Sequence, residues 1–494
     1  MSNLSELLPS GGGQNVVEFT ASGAVASGKP VILNSDGTVT EVAESTISEN
    51  LGSDTVFESA NVNYMGTAYH SVQNRVVVTY RDVGNSNYAT TVAGEISGTT
   101  ITFGTPTVVA SENSAYQNVT YHTEQDVLVF IFRGNSNWMK AKAATLSDTT
   151  FSFGSDITLT TNSTDFLSSD YDSAQNAVVT CFTTGPLGDY LQAVAVSASG
   201  TTLSAGSVVT LDSNTCANVA LDYNVAKAAH TVVFRRNAGG FTMRARAFTV
   251  SGTTVTNGNQ IEVAAGDSRP GTPRGIIYHA AISKCVAIYR NNSDSDGKAV
   301  CIDVISGDTP QAFTAATFES SFDVNETNMS IGSFAKSGSE KIVITYNSNT
   351  SNDGYVISGS ISGTTITFDT ALAIQAGGTT YNNITFDSTA NQMAIVYRDL
   401  ANSNYGTANT YNPEYISTNL TAASFIGLAS AAISDTATGD INVKGGINEA
   451  QTGLTIGSDY YVQTDGTLGT AADDPSVKVG QAITATTINM MDLT

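Results

Sequence analysis

An aromatic residue, most often followed by arginine, returns through most of the sequence at intervals of about 50 to 57 residues. It appears as Tyr80-Arg81, Phe132-Arg133, Phe182-Thr183, Phe234-Arg235, Tyr289-Arg290, Tyr346-Asn347 and Tyr397-Arg398. A second aromatic lies about eleven residues upstream of each: Tyr69, Tyr121, Tyr171, Tyr223, Tyr278, Phe334 and Phe386. A third marker, Ser-Gly-Thr-Thr or a close variant, begins at Ser97, Ser147, Ser199, Ser251, Ser306 and Ser362. Three markers kept in register over this many copies mean one small structural unit repeated.

Each unit reads as four strands. Arg75-Val-Val-Val-Thr-Tyr80 and Val127-Leu-Val-Phe-Ile-Phe132 are apolar almost throughout, as expected of a strand buried on both faces. The next strand alternates, as in Met243-Arg-Ala-Arg-Ala-Phe248, which predicts one less buried face. No window holds a 3.6-residue period over three turns. Units of about 50 residues with four strands match propeller blades. The predicted fold is all-β: a seven-bladed β-propeller at 44–414, with a small β domain from both chain ends, 15–43 with 415–494. The last unit has a third strand near 405–412 but no fourth. Leu51-Gly-Ser-Asp-Thr-Val-Phe57 resembles Phe153-Gly-Ser-Asp-Ile-Thr-Leu159. Residues near 48–59 are therefore expected to complete blade seven and close the ring.

In the flanks, Val31-Ile-Leu-Asn-Ser-Asp-Gly-Thr38 is similar to Tyr461-Val-Gln-Thr-Asp-Gly-Thr467, and each carries an Asp-Gly hairpin signal. Residues 1–14, with Leu4 to Leu8 and Gly11-Gly12-Gly13, read as a flexible arm or a peptide that orders on a partner.

The formal charge is −23, from 44 acidic and 21 basic residues. Such a surface repels phosphate backbones and anionic lipid, which argues against nucleic-acid binding and membrane insertion. No apolar stretch of about eighteen residues and no basic-then-apolar leader is visible. Cys181, Cys216, Cys285 and Cys301 have no zinc spacing. Cys285 and Cys301 flank one hairpin, where either a bond or, preferably, two buried thiols fits.

The arm with its three glycines, and the segments Gly427-Leu-Ala429, Ala432-Ile-Ser-Asp435, Gly445-Gly-Ile447, Gly457-Ser-Asp-Tyr-Tyr461 and Thr464-Asp-Gly-Thr467, resemble virion-associated and tail-fibre-like proteins of tailed bacteriophages, especially marine ones. The resemblance covers less than a quarter of the chain. It implies a virion structural protein on the tail or head surface, assembled with other virion proteins through the arm and the small domain, as a homo-oligomer on the particle.

Candidate binding residues come from a repeated phrase: Tyr80-Arg81-Asp82 with Asn85-Ser-Asn-Tyr88, and Tyr397-Arg398-Asp399 with Asn402-Ser-Asn-Tyr405. Blade two carries Arg133 with Asn135-Ser-Asn-Trp138. These loops join second and third strands. A flat ring stacks on a sugar while Arg, Asp and Asn take its hydroxyls. Arg81, Asp82, Tyr88, Arg133, Trp138, Arg398, Asp399 and Tyr405 are thus candidate glycan contacts, with a scaffold role the bland alternative. Net charge favours a neutral glycan, though local arginines accept a carboxylate.

Asn292, Asp294 and Asp296 before Gly297, with Asp303, resemble a calcium loop, against a simple polar turn. Calcium is the one cofactor the sequence suggests. His70, His122 and His279 are spread around the ring and His230 stands alone, so no histidine cluster for a metal is expected. No phosphate loop, Gly-x-Ser-x-Gly elbow or His-Glu-x-x-His occurs. The expected function is non-enzymatic display of a propeller for host-surface attachment or decoration. The alternative is a glycan-degrading propeller on the same particle, which would need one asymmetric acidic site.

Overall fold

The computed structural model describes residues 15–490, apart from 186–187, 238–239, 273, 306–307, 322 and 337–338. The N-terminal arm and the Ser306-Gly307 marker fall outside the described residues. Two compact units emerge. One comprises residues 49–335 and 340–413; the other comprises the chain ends, to Ser48 and from Glu414, with the stretch 336–339.

The larger unit is a seven-bladed β-propeller, each blade antiparallel. Blade one runs outward from the second half of Thr55–His70, through Arg75–Asp82 and Tyr88–Ser97, to an outer strand in two pieces, Thr100–Phe103 and Thr107–Asn113. The first half of Thr55–His70 belongs to blade seven: Ala408 pairs with Thr55, Thr407 with Val56 and Gly406 with Glu58. Asn50–Leu51 pairs with Tyr411 and Asn412, supplying the other piece of that outer strand. One strand thus ends the last blade and begins the first, so the ring has no open edge there.

The second strands explain the apolar runs. Leu128, Phe130 and Phe132 pack toward blade one with Val77 and Ala89. Val127, Val129 and Ile131, on the opposite face, pack toward blade three with Val178 and Phe182. Successive side chains point to opposite faces, and each face meets a neighbouring blade. The third strand is drier than its alternation predicted. Arg246 is almost fully buried, with its Nη1 donating to Asn257 Oδ1 at 2.8 Å and to Gly258 O at 2.6 Å. Those acceptors let a charged side chain occupy an interior position.

The third marker also has a physical reason. At the kink of the outer strand stands a glycine whose missing Cβ leaves room for the Ser-Gly-Thr-Thr turn of the next blade. A Cβ on Gly154 would meet Thr201 O at 2.3 Å, and one on Gly206 would meet Thr253 O at 2.0 Å. Gly52 repeats this contact between blades seven and one, at 2.2 Å from Thr99 O.

The four cysteines are free and buried. Cys285 pairs with Ile302 and Val286 with Cys301, so the two thiols lie on opposite faces of blade five. That offset rules out the bond across the hairpin.

The smaller unit has two five-stranded sheets. Val16–Thr20, Pro30–Leu33 and Val39–Glu41 interleave with Phe425–Ala429 and Thr438–Val443 in the first. Asp459–Val462 and Val477–Ala482 lie in the second. Ile32 and Phe425 of one sheet share a core with Tyr460, Val462 and Val477 of the other. The two similar hairpins share one turn chemistry. Asp36 Oδ1 accepts from the Thr38 N–H and hydroxyl, as Asp465 Oδ1 does from Thr467. These bonds hold both carboxyls below the usual range. Among the described residues, no helix is long and apolar enough to cross a membrane.

Candidate functional site at the channel mouth

Among the described residues, the inner strands of blades one, two, three, four and seven carry the same irregularity. In blade one Asn63 pairs with Arg81 and Gly66 with Thr79, so Tyr64 and Met65 together oppose Tyr80. Equivalent bulges place Tyr116, Phe166, Asn218 and Tyr381 opposite Phe132, Phe182, Phe234 and Tyr397. A bulge re-aims its side chain and terminates regular pairing. Each leading residue has positive φ: 50° at Tyr64, 46° at Tyr116, 46° at Phe166, 48° at Asn218 and 56° at Tyr381. Asparagine accepts this conformation readily, whereas a bulky aromatic is strained by about 1–3 kcal/mol.

The four aromatics come from consecutive blades, seven, one, two and three, and meet at the mouth of the channel. Ring centroids are 5.4 Å apart for Tyr64–Tyr381, 5.0 Å for Tyr64–Tyr116 and 5.9 Å for Tyr116–Phe166. They wall a cavity of about 320 Å³, completed by Met65, Gln117, Leu167, Thr272 and Thr327. Blades five and six break the repeat here. The inner strand of blade five is split into Ser268–Pro270 and Ile276–His279, and the short 3-10 turn Glu326–Asn328 precedes Ser330–Lys336. The result is a cup with one aromatic wall and one polar wall.

Three arginines of the repeated phrase stand over these rings. Arg133 lies 4.7 Å from the Tyr116 centroid, Arg398 4.9 Å from that of Tyr381 and Arg81 5.9 Å from that of Tyr64. Arg133 is paired with Asp165 and donates to Thr164 O. Burial raises the Tyr116 hydroxyl well above its usual range, and the Asp165 charge adds to it. Burial raises Tyr381 as well. Desolvation likewise lowers the Arg398 guanidinium.

The remaining residues chosen from sequence are elsewhere. Asp82 and Asp399 are buried turn-holders: Asp82 Oδ1 accepts from Asn85 N at 3.1 Å, and Asp399 Oδ1 from Ala401 N at 3.0 Å. Trp138 is 38% exposed on its loop, and Tyr88 and Tyr405 are half-buried at the start of third strands. None of these lines the cup. The four rings that do were not chosen, although each stands five residues before the second marker, as Tyr64 before Tyr69 and Tyr116 before Tyr121.

Further along the inner strands is a second cavity of about 410 Å³, with Asp170, Asp222 and Arg274 on its wall. Burial, then the charge of Asp170, drives the Asp222 carboxyl far above its usual range, against the pull of Arg274. Both carboxylates are engaged by the next blade: Tyr223 N donates to Asp170 at 2.7 Å, and Tyr278 N donates to Asp222.

The suggested calcium loop does not converge. Lys298 Nζ sits 2.5 Å from Asp294 and 3.8 Å from Asp296, supplying the positive charge itself. Asn292 donates to Asp267, and Asp303 faces Lys284 at 3.5 Å and Lys227 at 3.8 Å. Among the described residues, no group of three acidic, histidine or cysteine side chains is placed to hold a metal.

No protein-family model matches the sequence, and no curated protein matches it. Solved structures with similar chain paths include the BP39L lectin of Burkholderia pseudomallei (TM-score 0.49, 8% identity, 72% of this chain and 98% of that one). The periplasmic gluconolactonase of Pseudomonas aeruginosa gives 0.44 at 8% identity over 72% and 98%, and AofleA of Arthrobotrys oligospora 0.42 at 8% over 70% and 95%. Similarity this distant says nothing of ligand or activity. By its own sheet topology, the chain is a seven-bladed β-propeller joined to a small β domain made by its two ends.

Proposed function

We propose that the propeller is a non-enzymatic carbohydrate-binding module whose site is the aromatic cup, carried by a structural protein of a tailed-phage particle. The observation behind the binding reading is the run of four consecutive blades that hold an aromatic residue in left-handed backbone. Strain of that kind persists where the surrounding structure enforces it, and it concentrates at functional sites. Ring faces take the apolar side of a pyranose, and Thr272 and Thr327 offer partners to its hydroxyls.

The virion part rests on the phage-like segments of the chain ends. The small domain and the arm attach to other virion proteins in this reading, and many copies turn a weak site into useful avidity.

A glycan array probed with the intact chain and with Tyr64→Asn/Tyr116→Asn tests the site. Asparagine already stands at this position in blade four, so the backbone is kept while the rings are lost. Array signal that disappears in the variant supports the cup; equal signal from both proteins refutes it. Proteomics of purified particles tests the virion reading, which fails if the protein is missing from them.

A further inference from the structure

Arginines around the cup, behind the residues that line its cavity, divide into two kinds. Arg133 pairs with Asp165, Arg235 with Asp267 at 2.7 Å, Arg269 with Glu326 at 2.8 Å and Arg290 with Asp323 at 2.7 Å. Arg81 and Arg398 pair with no carboxylate among the described residues. Arg81 Nε donates to Asn87 Oδ1 at 2.9 Å, and Arg398 donates to Thr380 Oγ1 at 2.8 Å and Asn63 Oδ1 at 2.5 Å. All three acceptors are neutral. The two arginines are also neighbours, because Asn63, which Arg398 grips, is the strand partner of Arg81. They stand over Tyr64 and Tyr381, rings 5.4 Å apart.

The chain has 44 acidic residues against 21 basic ones, so carboxylates are plentiful. Leaving two half-buried guanidiniums without one costs stability, as the lowered Arg398 reflects. The missing anion is then one that arrives with the ligand.

We infer that the cup selects a carboxylate-bearing pyranose, the sugar ring lying against Tyr64 and Tyr381 and its carboxylate held between Arg81 and Arg398. This inference rests on the carbohydrate-binding reading above. A planar carboxylate matches the guanidinium fork, and two forks facing one carboxylate give charge-assisted hydrogen bonds. A cavity of about 320 Å³ suits a single sugar ring rather than a long polyanion. A long polyanion would also run out into the field of a −23 chain. Local charge at the cup and net charge of the molecule therefore select together: an acidic terminal sugar on an otherwise neutral glycan.

Calorimetric titration of the intact chain with 3′-sialyllactose and with a glucuronic-acid disaccharide tests this. Each is compared with its carboxyl methyl ester and with lactose. At least one acid is expected to bind tenfold or more tighter than its ester. Arg81→Gln/Arg398→Gln is expected to bring that acid down to the ester's level. If acid and ester bind equally, or the double variant keeps the preference, the acidic-sugar inference falls and the cup reading stands. If no saccharide binds, lactose included, both fall. Should the variant not fold, the acid-to-ester comparison on the unaltered protein still decides.

Discussion

The Nε2 atom of His230 lies 3.1 Å from Oδ2 of Asp172, across the boundary between blades four and three, with both side chains buried. Asp172 occupies the position held by His70 and His122 in blades one and two, directly after the second aromatic marker. Those two histidines instead pack on the marker tyrosine of the next blade, at 4.3 Å for His70–Tyr121 and 4.6 Å for His122–Tyr171. Blade four supplies from its second strand the imidazole that blade three lacks.

Asp172→Asn is accordingly expected to destabilise the propeller by about 2 kcal/mol, the cost of weakening a buried hydrogen bond to a charged acceptor. Urea unfolding measures it. Burial alone would raise this carboxyl, but the hydrogen bond and charge of His230, together with the backbone N–H bonds from Gln175 and Ala174, hold it below the usual range. Its stabilisation is therefore complete above the unfolded value of about 3.9 and is lost as pH falls through the lower folded value. The variant should show a flatter stability profile at acid pH.

The propeller should also melt at lower temperature near pH 5 than near pH 7. Burial lowers His70, His122 and His279 below the ordinary imidazole value, more strongly than Asp126 or Glu340 opposes it. The unfolded chain then binds more protons as pH drops through about 6.5, and stability declines from there to the folded values. Calorimetric scans across this range are the check, and His122→Gln should reduce the slope.

Gly52→Ala tests the closure of the ring. The added Cβ would come within 2.2 Å of both Thr99 O and Thr410 Oγ1. Overpacking at such a place costs about 1–3 kcal/mol. Faster hydrogen exchange in Tyr405–Asn412 and in the first half of Thr55–His70 is expected, with blades three and four unaffected.

The small domain offers a paired comparison. Gly37 and Gly466 occupy the same turn, with φ of 87° and 75°. A Cβ on Gly37 meets nothing within 4 Å, whereas one on Gly466 meets Val42 O at 2.0 Å. Gly37→Ala should cost about 1 kcal/mol, the backbone term alone, and Gly466→Ala distinctly more. Thermal melting of the two variants reads the difference.

The four rings of the cup show where sequence reading loses its hold. Tyr64, Tyr116, Phe166 and Tyr381 keep a constant spacing from the second marker, so their positions were legible. Their role was not, because a bulge is made by pairing with a strand that a linear pattern does not locate. Lys298, which occupies the place of a cation between Asp294 and Asp296, was equally out of view until the hairpin brought it back across the loop.

By itself, the sequence determined the blade count, the four strands per blade, the closing strand and the twin Asp-Gly hairpins. Those depend on alternation, turn residues and recurrence, which are local and repeat with the chain. Tertiary structure alone decided that four strained aromatics meet in one cup and that Cys285 and Cys301 face apart. It also decided that Arg133 is neutralised by Asp165 while Arg81 and Arg398 are not. Such outcomes depend on which side chains from different blades come within a few ångströms of one another, and only the closed ring sets that distance.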